Sequence, residues 1–572
     1  MARSPGSNHA IAAARGDESA DLLLTGGLVF STATREWIAT SLAICDGTIV
    51  GWGDRDAKQV IDVSGKYIIP GFIDAHMHLE STKLWVDEFV KIVLPSGTTA
   101  VVADPHEIAN VFGVPGVKAL IEASKDLPFT FAVVASSCVP ASHFESPGAE
   151  VNSDQVREIL NDLGAIGVAE VMNYPGVIAG DPDVMSKIRA AGHRRVDGHA
   201  PMVLGTKLDA YLSAGVESDH ECTTLAEAHE KRQKGMWIFI REGSASKNLN
   251  DLIDTVLNFG TDNVAFCTDD REPGTLLSAG SINDCVAMAV HKGVSPEDAI
   301  ILGSTNAALY HNLHDLGSLG PGYQADFQVL DDLSSFKPTM VFQRGALVAK
   351  DGSIVAGIVP KSNAPSWMLE SVHLGATIDP QMLNITTTSD STYKVIEASS
   401  GSISTKEVHV KSSQLIDCAR IAVVERHHQT GRIGLGFVQG FGIKRGAIGS
   451  TVAHDAHNLM LLGANTDSGA IDMAAAANVL AEIGGGQVAV LDGQVLAVVP
   501  LEIGGLMSIG RAEDVASKLV HLEKLAKESL GITIDSPFMT LSFLGLSVIP
   551  EIRITDLGLI DVLNFELTSL QV

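Results

Sequence analysis

The chain has 572 residues, 45% of them hydrophobic and 19% charged, the balance of a folded globular protein and not of a disordered one. Lys and Arg total 40 against 68 Asp and Glu, a net charge of −28, which repels phosphate backbones and anionic membranes and argues against a nucleic-acid binder. The 6 cysteines are scattered with no CxxC pair, so free thiols are expected and neither a zinc ribbon nor a disulfide framework.

At roughly 150 residues per domain the length suits three to four domains, or one large barrel with attachments. No apolar run reaches bilayer length: the alanine-rich stretch 470–507 is interrupted by Asp472, Glu482, Asp492 and Glu502. The first 18 residues carry Arg3, Asn8, Arg15 and Asp17 and have no apolar signal core. Residues 1–20 therefore read as a disordered tail, and a cytoplasmic location without membrane contact is expected.

Residues 21–70 read as short strands, with apolar runs cut by Gly26-Gly27, Asp46-Gly47 and Ser64-Gly65. The same texture returns over 318–360, with Asp351-Gly352 between apolar runs. The two segments together are expected to form one small β domain. Between them, over 71–317, eight short apolar runs alternate with helix-period stretches: 71–74, 99–103, 129–135, 165–169, 195–198, 215–218, 237–240 and 264–268. Strands alternating with helices mean parallel βαβ units, and eight of them fit a (β/α)8 barrel. A doubly wound open sheet is the competing fold. Residues 361–390, with Pro365 and Pro380, read as a linker. The remaining segment, 391–572, mixes strands with one long helix candidate over 470–482 and forms an additional α/β domain.

The chemistry-bearing residues sit at the ends of the apolar runs. Asp74-Ala75-His76-Met77-His78 closes the first, and residues i and i+2 of a strand share a face, so both imidazoles can reach one ion. Glu170 ends the fourth run, His199 the fifth, His220 follows the sixth, and Asp269 with Asp270 ends the eighth. Each alone reads as a loop carboxylate, a core histidine or a helix cap. Six nitrogen and oxygen donors at the ends that converge on one barrel face read as a metal centre able to hold two ions. His106 and Glu107 follow the second strand, as a helix cap or as substrate and proton-handling groups. Arg241 ends the seventh strand, as a substrate contact or one half of a solvated salt bridge. His454 and His457 reach the same cleft or organise a turn.

The stretch Pro70-Gly71-Phe72-Ile73-Asp74-Ala75-His76-Met77-His78 resembles the first-strand signature of the amidohydrolase superfamily. Residues 317–326 resemble the segment by which those proteins return to their β domain. Within that superfamily the chain resembles the bacterial-type adenine deaminases through residues 103–110, 169–173, 197–201, 267–271, 425–428, 440–442 and 453–458. The resemblance implies a metal-dependent TIM barrel with a small β domain and an extra C-terminal domain. It implies His76, His78 and Asp269 on one metal, His199 and His220 on the other, and Glu170 as the bridge. Iron or manganese is implied, with zinc as an alternative; mixed imidazole and carboxylate donors do not choose among them.

The implied reaction is hydrolytic deamination of adenine to hypoxanthine and ammonia by a metal-activated hydroxide. Asp269, Glu170 and His220 are its expected catalytic residues, with Asp269 as proton shuttle. His106, Glu107, Arg241, Asp270, His454 and His457 are the candidate substrate contacts. Adenine and water are the expected partners, with no nucleic acid, and a homo-oligomer is expected. Other amidohydrolase activities, such as cyclic amide hydrolysis or amino-sugar deacetylation, and a non-catalytic metal-binding barrel remain the alternatives.

Overall fold

The computed structural model of the chain describes residues 6–572. Residues 1–5 of the expected tail lie outside the described residues. The rest of that segment is not a tail. Asn8–Arg15 is a helix, capped at one end by the Ser7 side chain on the Ala10 amide and closed at the other by Gly16 at φ 83°. Ser before a run of alanines and Gly after it are the cap chemistry of a short helix. Ala10 and Ala13 pack against Leu23, Ala43 and Val50 of the small β domain.

That domain is built from both flanking segments. One sheet holds four strands from residues 20–62; the other holds seven, in which Tyr67–Pro70 lies between Leu28–Ser31 and Phe327–Leu330. The antiparallel pairing sets Pro70 opposite Phe327. The chain thus leaves the β domain and returns to the same place after the barrel.

The barrel strands are Phe72–Met77, Thr98–Ala103, Thr130–Val133, Gly167–Val171, Arg195–Gly198, Ser218–Asp219, Trp237–Arg241 and Val264–Cys267. Neighbours pair in parallel around the ring, and the Glu217 amide donating to the Val196 carbonyl at 3.0 Å joins the fifth strand to the sixth. The ring closes between first and eighth: the Asp269 amide donates to the His76 carbonyl at 3.0 Å, and the His78 amide to the Asp269 carbonyl at 3.2 Å. An open doubly wound sheet has no such seam. Asp74, buried on the first strand, reinforces it by accepting from the Thr268 amide and hydroxyl. The helical run after the second strand, His106–Ser124, is broken at Gly113.

The C-terminal domain centres on an eight-stranded sheet from residues 392–500. Helix Asp467–Glu482 covers it, as the sequence pattern indicated, starting three residues earlier. A second long helix, Ala512–Leu530, is a correction to the single long helix expected. Its Val515, Leu519, Leu522, Ala526 and Leu530 are buried and Gly531 ends it, so its periodicity was readable. Residues 361–390 are irregular yet packed. Met368 is buried and its carbonyl accepts from the Gly504 amide, while the His373 amide reaches the Arg426 carbonyl.

A loop after the third barrel strand is clasped by this domain. Ser142 and Ser547 share a hydrogen bond of 2.7 Å, Ser146 donates to Asp556 at 2.7 Å, and Glu145 accepts from the Ser142 amide and the Ser547 hydroxyl. Burial, and then the Asp455 carboxylate, raise the Glu145 pKa from 4.5 to about 8. A carboxyl with a raised folded pKa contributes stability at low pH and loses it as pH rises through the folded value. The wild-type unfolding midpoint should therefore fall relative to Glu145→Gln between about pH 4.5 and about pH 8. Denaturation profiles that run parallel across that window would show that Glu145 is not buried in its protonated form.

Candidate active site

Alternation along the first strand sends Asp74, His76 and His78 to the barrel interior. Nδ1 of His78 lies 3.0 Å from the Asp104 carbonyl. A carbonyl only accepts, so a proton sits on Nδ1, and that bond turns Nε2 inward. That nitrogen is 3.0 Å from Asp269 Oδ1 and 3.3 Å from Glu170 Oε1. His76 Nε2 faces the same two oxygens at 3.6 and 3.8 Å. The other oxygen of Glu170, Oε2, lies 2.8 Å from His199 Nδ1 and 3.3 Å from His220 Nε2. One carboxylate thus stands between two histidine pairs, each of its oxygens turned to one pair.

All six side chains are buried. Nε2 of His76 and Nε2 of His199 have no hydrogen-bond partner, and a buried nitrogen without a partner is costly unless something fills the space. Burial disfavours a charged imidazole at His220, yet the Glu170 carboxylate overrides it and lifts the pKa to about 9. Burial likewise opposes ionisation of Glu170, but His220 and His199 hold it well below the ordinary carboxylate range. The field that would charge these imidazoles also suits a cation. His76, His78 and Asp269 present donors close enough to share one ion, as do His76, Glu170 and His220. Shared carboxylates and unpartnered imidazole nitrogens fit divalent metal.

Packing behind the donors fixes them. Arg241 donates to Asp269 Oδ2 at 2.7 Å and grips Glu221 with both terminal nitrogens. It is buried, so this ion pair is not solvated. Asp269 itself has φ 55°, a left-handed conformation that aspartate tolerates better than most residues. Lys231, also buried, donates to Asp219, Glu227 and the Ala200 carbonyl at 3.0, 2.7 and 2.7 Å. Asp219 precedes His220 and Ala200 follows His199, so one ammonium anchors both loops. Between them the chain needs Gly198, where a Cβ would come 2.3 Å from the Ser218 carbonyl.

The cleft above is shared between domains. The barrel contributes the donors with His106, Met172, Glu221, Arg241, Ser246 and Asp270; the C-terminal domain contributes Ile403, His454, Asp455, Phe543, Leu546 and Ile549. His454 stacks on Phe543 with ring centroids 4.8 Å apart.

An "Adenine deaminase C-terminal domain" family matches residues 395–566 and an "Amidohydrolase family" matches residues 67–348. Among curated relatives, "Adenine deaminase 2" of Carboxydothermus hydrogenoformans is 41% identical over 96% of this chain and 97% of its own. "Adenine deaminase" of Clostridium acetobutylicum is 41% identical over 97% and 98%. "Adenine deaminase" of Desulfatibacillum aliphaticivorans is 42% identical over 98% and 99%. The chain belongs to the adenine deaminase family. As an amidohydrolase with a buried His, Asp and Glu cluster, it has the donor set for divalent metal.

In this adenine deaminase fold the other candidates fall in three positions. His106, Arg241, Asp270 and His454 line the cleft, Arg241 with its guanidinium committed to Asp269 and Glu221. Glu107 lies one step behind, accepting from Ser81 at 3.0 Å and facing His454 at 3.5 Å. His457 does not line the cleft. Its Nδ1 accepts from the Ala453 amide at 3.1 Å, so its Nε2 proton points to Glu107, 3.8 Å away, and it organises the turn. Glu221 and Asp455 were missed by reasoning from the sequence, although each directly follows a histidine already singled out. No helix among the described residues is long and apolar enough to cross a membrane, and all 6 cysteines are free and buried.

Removing the anchoring ammonium leaves two buried carboxylates uncompensated. Lys231→Met should cost about 3–5 kcal/mol and weaken metal retention, read as a lower urea midpoint and lower metal content. A midpoint equal to wild type would mean that the pair contributes nothing to holding these loops.

Proposed function

We propose that the chain hydrolyses adenine to hypoxanthine and ammonia with two divalent ions. His76, His78 and Asp269 would hold one, His199 and His220 the other, and Glu170 would serve both. The observation that carries this reading is the placement of Glu170, whose two oxygens each face a different histidine pair. The relatives are named as adenine deaminases over almost their whole length. Manganese or iron is the proposed metal, with zinc as the alternative. When bound, such ions lower the pKa of water and so supply a hydroxide-equivalent nucleophile at neutral pH.

The protein's own residues do the rest. Arg241 and the neighbouring histidines hold Asp269 well below the ordinary carboxylate range against the effect of burial, so it is ionised and able to accept a proton. With Arg241 on Oδ2, Asp269 keeps Oδ1 inside the cleft. It takes the proton from the nucleophile and passes it toward the purine or the departing amine. Oxygen adds at C6, the C6–N bond breaks, and the amine leaves as ammonia. Phe543, Leu546, Ile549, Met172 and Ile403 offer an apolar wall for a flat ring and exclude bulk water.

Two measurements test this. Metal-loaded protein should contain two ions per chain and release ammonia from adenine but not from adenine-containing RNA or DNA. One ion per chain, or no ammonia from adenine in a purine panel, would overturn the reading. Asp269→Asn keeps an oxygen for metal but cannot take the proton. At equal metal content it should lose about 10²–10⁴-fold in turnover, and near-normal turnover would remove the shuttle role.

A further inference from the structure

We propose that Asp455, supplied by the C-terminal domain, accepts the azole N–H of the purine and thereby selects the free base over purines substituted at that nitrogen. The proposal rests on the adenine deaminase reading and adds a specificity residue to it.

Asp455 is 1% exposed and lines the cleft, yet it is short of partners. Its Oδ1 stands 3.7 Å from both His106 Nε2 and His454 Nδ1, beyond hydrogen-bond reach. Its Oδ2 is buried with no partner at all. A carboxylate only accepts, and leaving one unsatisfied in a closed site is expensive. The cleft therefore calls for a donor from the ligand at this point.

Adenine has two kinds of donor. The exocyclic amine is attached to C6, the carbon under attack, and must lie by the metal donors. Only the N–H of the five-membered ring remains for an acceptor elsewhere. Asp455 is placed for it. His106 stands between Glu170 and Asp455, with Nδ1 3.7 Å from Glu170 and Nε2 3.7 Å from Asp455. The two carboxylates are thus one imidazole ring and two non-bonded gaps apart. A purine with C6 against the donors carries its five-membered ring across a comparable distance. A riboside lacks this hydrogen, would leave Asp455 unpaired, and would have to lodge its sugar against Asp455 and Phe543. Sites built to bond a substrate N–H reject the analogue without it far more strongly than apolar pockets reject a missing methylene.

The test compares kcat/KM for adenine and for 9-methyladenine, which has no azole N–H. Wild-type protein should prefer adenine by at least about 10²-fold. Asp455→Ala should lower kcat/KM for adenine roughly 10–100-fold, mainly through KM, and raise that for 9-methyladenine, which no longer strands a buried carboxylate, so the preference shrinks from both sides. Asp455→Asn, whose amide oxygen still accepts, should retain part of it at wild-type metal content. Equal turnover of both purines by wild-type protein would overturn the proposal and needs no variant. So would a parallel fall for both substrates in a fully metal-loaded Asp455→Ala protein. Wild-type protein inactive on adenine would instead defeat the functional reading beneath it.

Discussion

The site depends on the seam where the barrel closes. The backbone of Asp269 bonds to the His76 carbonyl and the His78 amide, so the last strand is stitched to the first at the level of the donors. That pairing brings a carboxylate from residue 269 beside imidazoles from residues 76 and 78. Asp74, one alternation earlier, ties the same seam from inside the barrel through Thr268. A barrel that failed to close here would part the Asp269 carboxylate from the His76 and His78 imidazoles.

Around the donors the protein manages a concentration of buried charge. Four imidazoles and two carboxylates meet in one buried space, and each carboxylate is held ionised against burial by cationic neighbours. Arg241 and Lys231 extend this arrangement outward. The first takes the outer oxygen of Asp269 together with Glu221; the second takes Asp219 and the Ala200 carbonyl beside the two histidine-bearing loops. Buried ion pairs of this kind are weak sources of net stability but costly to break. Their value here is positional, because they fix the direction of the donors around one small volume.

The C-terminal domain contributes more than a surface attachment. It clasps the loop over residues 142–146 through Ser547 and Asp556 and lays Ile403, His454, Asp455, Phe543, Leu546 and Ile549 over the barrel mouth. The barrel face supplies the polar donors and the added domain supplies most of the apolar wall. A planar substrate with polar edges has need of both, and the cleft lies at their junction.

Sequence by itself determined the local parts of this protein. Eight apolar runs announced eight barrel strands, because a strand buried on both faces must be apolar. His76-x-His78 and the donors at residues 170, 199, 220 and 269 were legible, because strand alternation and the convergence of strand ends in a barrel dictate where such side chains go. The Ser7-to-Gly16 helix and the helix Ala512–Leu530 were equally local in their signals, a Gly after each end and buried periodicity in the second, but the reading of the sequence took the first as tail and passed over the second. Tertiary structure alone decided what crosses the chain. The pairing of Tyr67–Pro70 with Phe327–Leu330, the grip of Arg241 on Glu221, and the arrival of Asp455 beside His106 join residues that are 20 to several hundred positions apart. No periodicity encodes such a meeting. It follows only when the core closes and burial obliges each polar group to find a partner.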